Sequence, residues 1–150
     1  MKKSVILIIS TISLLAVILI GLLFQRAEIY NETIYVNDIV ITSLRIGDEY
    51  FPTYFDEEDD LYRLYDENKP GTPLTLRYHD GLALDIIYEV WPFDATRQTI
   101  SFYTDPHSSV AQVDGQTGRI SFLSEGTETF TLRATDNSNR SSRLRIRAKI

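Results

Sequence analysis

With 150 residues, no cysteine and a formal charge of −6, the chain excludes disulfides, thiol nucleophiles, cysteine-ligated metal centres and lipid attachment through cysteine. Its 43% hydrophobic and 11% aromatic content exclude disorder throughout, and its length leaves room for one ordinary domain beside a membrane segment. Charge runs +3 over residues 1–26, −11 over 27–89 and +2 over 90–150, a distribution that argues against nucleic acid as a partner.

Residues 1–3 carry Lys2 and Lys3, and Ser4 to Phe24 then runs for 21 residues without a charge, Pro or Asn. As a helix this segment spans roughly 31 Å, matching the hydrocarbon core of a bilayer, and is predicted as a transmembrane helix over 4–24. The competing reading is a cleaved signal peptide. Its apolar region is normally only about 7–15 residues and ends at paired small residues, which Gly21-Leu22-Leu23-Phe24-Gln25-Arg26-Ala27 lacks. Lys2, Lys3 and the amino terminus outweigh Arg26, so the N-terminus is expected in the cytoplasm and the rest outside, at the cell surface of a bacterium. The expected location is a single-pass bacterial cell membrane protein.

Residues 25–60 read as a membrane-proximal region with one or two strands between Thr33 and Ile46. Five consecutive acids follow, Asp56-Glu57-Glu58-Asp59-Asp60. Mutual repulsion makes them a solvated loop; calcium is the sharper alternative, but the spacing that folds carboxylates around an ion is missing. Tyr50, Phe51, Tyr54, Phe55, Tyr62 and Tyr65 cluster around this run, and the first five are candidates for contact with a partner. Most rings of the chain, Trp91, Phe93, Phe102 and Tyr103 among them, are expected in the core.

From residue 61 to 150 the pattern is that of an all-β domain. Seven runs from Leu74 onward, Thr75–Tyr78, Leu82–Val90, Ile100–Tyr103, Val110–Val113, Arg119–Leu123, Thr129–Thr135 and Ser142–Ile150, are separated by turn residues at the spacing of a sandwich or barrel. Asp80-Gly81 is read as a tight turn between the first two. In the last two, Phe130, Leu132, Ala134, Leu144, Ile146 and Ala148 alternate with polar residues. If Asp136 to Asn139 joins them as a hairpin, Arg133, Arg143, Arg145, Arg147 and Lys149 form a basic ladder on the other face. The ladder is either solvated charge that guards an edge or a contact for an anionic surface: cell-wall polymer, phospholipid headgroups, or the acidic segment 56–60 of another copy.

The segments Val90-Trp91-Pro92-Phe93-Asp94-Ala95-Thr96, Ile100-Ser101-Phe102, Asp105-Pro106, Ser109-Val110-Ala111-Gln112-Val113-Asp114, Thr117-Gly118-Arg119-Ile120 and Glu125-Gly126-Thr127 up to Ala134 follow one another in a telling order. From about Gly81 to Ile150 the chain resembles the bacterial immunoglobulin-like domain, group 2. The resemblance implies an immunoglobulin-like β-sandwich of about seven strands without the disulfide, used in surface adhesins of the intimin and invasin kind as a spacer or display module. It implies no shared catalytic or ligand residues and no cofactor. The chain departs from the family's pattern at Phe102, where Trp is common, at Tyr103-Thr104, and at His107-Ser108, which lengthens the loop after Pro106.

Catalysis finds no anchor in the sequence. His79 and His107 are the only histidines, and no Gly-x-Ser-x-Gly elbow, phosphate loop, dinucleotide fingerprint or His-Glu-x-x-His occurs. The expected function is a non-enzymatic, membrane-anchored module for adhesion, envelope assembly or cell-wall contact. The main alternative is an accessory or sensor subunit of a membrane complex bound to an envelope protein; a cell-wall or carbohydrate-active enzyme fragment is the third.

Overall fold

The structure, a computed structural model, describes residues 2–29 and 32–150, with side chains described through residue 23 and again from residue 32. The chain divides into two compact units, Met1–Thr33 and Ile34–Ile150. The first holds α1 (Lys2–Ile29), whose side chains from Lys2 to Leu23 are all exposed. The Lys2–Leu23 stretch is long and apolar enough to cross a membrane.

The second unit contains ten strands: β1 (Asp38–Ile46), β2 (Glu49–Asp56), β3 (Leu61–Leu64), β4 (Thr75–Arg77), β5 (Ala83–Trp91), β6 (Ile100–Tyr103), β7 (Ala111–Val113), β8 (Arg119–Phe122), β9 (Gly126–Ala134) and β10 (Ser141–Lys149). They form one continuous path, β6-β9-β10-β3-β2-β1-β5-β8-β7, with β4 added to β10. The all-β character and the apolar N-terminal helix agree with the sequence reading, and β4 to β10 fall on the seven runs expected from Leu74 onward. The seven-strand sandwich does not: three further strands are built in, and the ends of the path approach each other where Phe102 N–H donates to the Gly115 carbonyl at 3.1 Å. The result is close to a closed barrel.

β1 and β2, which fall within the region 25–60 expected to be membrane-proximal, sit in the middle of the path. β2 changes partner along its length. Residues 49–52 pair with β1 and 53–56 with β3, and Pro52 stands at the change. There the Thr53 hydroxyl donates to the Ile41 carbonyl at 2.6 Å, satisfying an acceptor that β2 leaves behind as it departs. β1 also carries a bulge against β5 between Ile41 and Ser43. The extra residue resets the alternation, so that Ile39, Ile41 and Leu44 all face inward.

Asp80-Gly81 does not close a hairpin. β4 runs parallel to β10 while β5 pairs antiparallel with β1 and β8, so the turn carries the chain from one half of the path to the other. The positive φ expected there is nonetheless present, 81° at Gly81. The β9–β10 hairpin forms as expected, with Ser141 opposite Arg133 and Leu144 opposite Phe130. A two-residue loop, Gly47-Asp48, joins β1 to β2, and Gly47 has a φ of 61°.

The core draws on both halves of the path. Leu44, Leu61, Ile120, Phe130, Leu132, Leu144 and Ile146 are fully buried, and Phe122 meets Phe130 edge-on with centroids 6.4 Å apart. Each such side chain contributes about 1.5–3 kcal/mol, which lets the domain dispense with disulfides. Ile34 to Asn37 is fastened by hydrogen bonds to distant residues. Val36 N–H donates to Asp136 Oδ2 at 2.6 Å, and Thr96 N–H donates to the Ile34 carbonyl at 2.9 Å. Burial pushes the Asp136 carboxyl up, but hydrogen bonds from Ser138 and Val36 outweigh it and hold it below the usual carboxylate range. The N–H groups of Thr117 and Gln116 hold Asp114 below that range as well.

Asp136→Ala is expected to lower stability by about 1–3 kcal/mol in urea unfolding, because the Val36 N–H is left buried without an acceptor. For Asp114 and Asp136 the unfolded carboxyls, near pKa 3.9, take up protons before the folded ones as pH falls. Their stabilisation is complete above about pH 4 and is lost below it, so the urea midpoint should be level between about pH 7 and 5 and fall below about pH 4. Gly118 has a φ of 74°, and a Cβ there would lie 2.5 Å from Phe102 Cε1. Gly118→Ala should therefore cost about 1–3 kcal/mol or more in the same assay.

Candidate functional site

Alternation along β9 and β10 sends Phe130, Leu132, Ala134, Leu144, Ile146 and Ala148 inward. The intervening positions therefore share the outer face of the sheet, and all five residues of the expected ladder stand on it. The neighbouring strands add two bases that the sequence gave no reason to single out. Arg63 on β3 lies beside Arg145, and Arg77 on β4 lies beside Lys149. Parallel pairing with β10 brings them there, and local sequence carries no signal for that pairing.

The ladder is not uniform. Arg133 stands over the Tyr103 ring at 5.9 Å. Arg143 donates through Nη2 to the carbonyls of Asp59 and Asp60, both at 3.1 Å. Arg145 Nε donates to Thr129 Oγ1 at 3.2 Å, and its Nη1 lies 3.9 Å from Asp59 Oδ2. Arg147 is exposed and makes no ion pair among the described residues.

The acidic segment thus meets the ladder of its own chain. Arg63, whose side chain is only 16% exposed, donates to Asp56 Oδ2 at 2.8 Å and also pairs with Asp59. That bond holds the Asp56 carboxyl below the usual carboxylate range against the opposing effect of burial, and raises the Arg63 guanidinium. Asp56 ends β2, and only residues 57–60 form the turn, so the five acids are not all in a solvated loop. Among the described residues no three His, Asp or Glu side chains are grouped to hold a metal ion.

The aromatic candidates separate into different surroundings. Tyr54 meets Tyr65 edge-on at 6.3 Å, and Phe55 meets Tyr62 at 5.2 Å. Phe51 and Tyr62 pack against the core, and burial pushes the Tyr62 hydroxyl pKa up, aided by Asp38. Tyr50 is 62% exposed and, with Phe51 and Tyr65, lines a shallow cleft of about 230 Å3 that also holds Asp66 and Glu67. Phe55 and Tyr62 instead border a cleft of about 290 Å3 together with Arg143, Asp38 and Asp60. The bend in β2 and the β2–β3 turn set these two groups apart.

Trp91 and Phe93 are in contact with centroids 4.0 Å apart and planes inclined at 43°, and they are 41% and 62% exposed, against the expectation that they lie in the core. Tyr103 is likewise half exposed, whereas Phe102 is buried as expected. His79 Nδ1 sits 3.1 Å from the Asp80 carbonyl, and His107 N–H donates to Asp105 Oδ1 at 2.9 Å. Among the described residues neither histidine ring is hydrogen-bonded to a serine hydroxyl.

A third cleft, of about 370 Å3, opens on the basic face between β3 and β4 and is lined by Arg63, Arg145, Arg147, Thr72, Thr75 and Thr127, with Pro73 and Leu74.

No family model matches this chain, and no curated protein matches it. Among solved structures it is similar to one described as "Crystal structure of EHEC O157:H7 intimin mutant", at 13% identity and a TM-score of 0.49. The match covers 76% of this chain and 48% of that one, so this chain spans about half the length of the intimin chain.

Proposed function

We propose that this chain is a non-enzymatic, membrane-anchored module whose β-domain lies outside the cytoplasm and meets an anionic envelope partner, in adhesion, envelope assembly or cell-wall contact. The observation that carries this reading is the outer face of β9 and β10, where Arg133, Arg143, Arg145, Arg147 and Lys149 stand together with Arg63 and Arg77. Seven of the chain's fifteen bases are thereby concentrated on one face of a protein whose formal charge is −6. Only Arg63 and Arg145 of the seven lie within ion-pair distance of a carboxylate among the described residues. Edge protection alone calls for fewer charges, and β10 is an interior strand of the path.

The anchor reading is supported by the apolar Lys2–Leu23 stretch of α1 and by the two lysines at its start, which favour a cytoplasmic N-terminus. The immunoglobulin-like reading, and its narrower form as a group 2 bacterial domain, is supported by the placement of β5 to β10 within the stretch from about Gly81 to Ile150 that carries the resemblance.

A second reading is an accessory or sensor subunit of a membrane complex. It is favoured by the cleft of Tyr50, Phe51 and Tyr65 with Asp66 and Glu67, which offers apolar area and charge to a protein partner.

The two readings separate when residues 27–150 are exposed to cell-wall fractions and to solubilised envelope proteins at low and high salt. This fragment contains every core side chain. Retention by wall material at low salt should fall steeply at high salt, and about tenfold or more in the triple variant Arg143→Ser, Arg145→Ser, Arg147→Ser. Capture of one discrete membrane protein without wall retention decides for the second reading. Retention that ignores both salt and the triple substitution removes the basic face from the account.

A further inference from the structure

β3 and β4 both pair in parallel with the same edge of β10, β3 at residues 144–145 and β4 at residues 147–149. Between them the chain leaves the sheet over residues 65–74, closed at its base by the bridge between Tyr65 and Pro73. The excursion leaves a gap in the sheet beside Ile146, and the cleft of about 370 Å3 lies over it.

Three guanidinium groups and three hydroxyls converge there. Arg145 and Arg147 are two residues apart on one strand, so their Cα atoms are about 6.5–7 Å apart on the same face. Thr127 is directly opposite Arg147 on β9, and Thr75 is beside it on β4. Arg63 contributes from β3, and Thr72 from the excursion. Among the described residues no carboxylate lines the cleft; Asp56 and Asp59 reach Arg63 and Arg145 from the β2–β3 end. Asp56 is bound closely to Arg63, whereas Asp59 is shared between Arg63 and Arg145, lies 3.9 Å from the latter, and is half exposed.

We infer that this cleft is a binding subsite for a phosphate ester, in which Arg147, Arg145 and Arg63 hold the phosphate oxygens and the threonine hydroxyls complete the cradle. A carboxylate presents two coplanar oxygens and matches one guanidinium fork, reaching a second only loosely as Asp59 does at 3.9 Å from Arg145, whereas a phosphate presents oxygens in several directions and can engage forks from two strands at once. The volume is in the range of small-molecule sites and exceeds what a bare anion needs, so a glycerol or sugar attached to the phosphate fits with it. A phospholipid headgroup and a phosphodiester wall polymer share this chemistry. Asp59 acts as a built-in competitor, since its carboxylate occupies guanidinium donors that the ligand would take. The inference rests on the proposed role of the basic face for its source of ligand, and names residues outside the ladder.

The test titrates residues 27–150 with glycerol 3-phosphate, using acetate at matched ionic strength as the control, and follows the arginine Nε–H signals by NMR. Saturable shifts at Arg63, Arg145 and Arg147 are expected with the phosphate ester and not with acetate. Arg147→Gln, at an exposed position, should weaken binding about tenfold, as loss of a charged hydrogen bond does. Thr75→Val should weaken it by a smaller factor, and Asp59→Asn should tighten it several-fold. Equal response to acetate, indifference to Arg147→Gln, or weaker binding in Asp59→Asn would overturn the subsite.

The source of the ligand separates in two further arms. Arg147-dependent retention on phosphatidylglycerol vesicles over phosphatidylcholine vesicles supports the subsite with a headgroup as ligand. Arg147-dependent retention on wall material, lost once its phosphodiesters are cleaved, supports it with a polymer. Wall retention that depends on Arg133 and Arg143 but not Arg147, without phosphate binding, overturns the subsite and leaves the broader reading standing. Phosphate binding without retention on wall or vesicles keeps the subsite and removes the broader reading.

Discussion

Alternation along β10 is the constraint on which the rest depends. In Arg143–Lys149 every second side chain is apolar, so a pleated strand must put Leu144, Ile146 and Ala148 on one face and the four cations from Arg143 to Lys149 on the other. The inward set packs into the core that covers both halves of the path, and the outward set makes the basic face. A shift of one residue in register would exchange the two, burying arginines and exposing leucine and isoleucine, at a cost no domain of this size could sustain. β10 is also the strand with the most partners, pairing β9 on one side and both β3 and β4 on the other. Its register therefore decides which residues from distant parts of the chain stand beside its arginines.

The acidic segment and the basic face belong to one electrostatic arrangement. Left alone, seven cations on one surface would repel one another, and five consecutive acids would do the same. The β2–β3 turn brings the second group against an end of the first, where Asp56 and Asp59 meet Arg63 and Arg143 takes two backbone carbonyls. Because these groups are partly exposed, each pair contributes little to stability, and its larger effect is on where unbalanced charge remains. It remains toward Arg147, Lys149 and Arg77, at the β4 end of the face. A partner's anion would meet free guanidinium groups there and bound ones at the opposite end.

The domain holds together without covalent links between strands. Its core is built from branched aliphatic side chains with Phe102, Phe122 and Phe130 as the large members, and hydrogen bonds that involve side chains close the irregular places: Thr53 donates at the bend of β2, Asp136 accepts from Val36, and Asp114 accepts from Gln116 and Thr117 in the turn after β7. No side-chain nitrogen or oxygen buried among the described residues lacks a partner. α1 has the opposite character: its aliphatic side chains from Val5 to Leu23 are exposed, and the Lys2–Leu23 stretch is long and apolar enough to cross a membrane.

Local chemistry made much of this legible in the sequence. Period-two alternation announced β9 and β10 and their two faces, turn residues bounded β4 to β8, and uninterrupted aliphatic composition marked α1. Those signals reside in neighbouring residues and need no knowledge of the fold. β2 and β3 carry no such signal, because Glu49–Asp56 mixes aromatics, Pro52 and acids without clean alternation, and Leu61–Leu64 is too short to show a period. Only the tertiary structure decided what stands beside what. Arg63, Thr75 and Thr127 reach Arg147 and Arg145 from three strands, Asp59 reaches the arginines of β10 across more than eighty residues, and the tyrosines around the acidic run part to different clefts. Thr127 arrives through the antiparallel β9–β10 hairpin, whereas for Arg63 and Thr75 the physical reason is parallel pairing with β10. Parallel pairing joins strands through long connections and leaves no trace in the residues between them, so sequence determined which side chains would face outward and the fold determined which of them would meet.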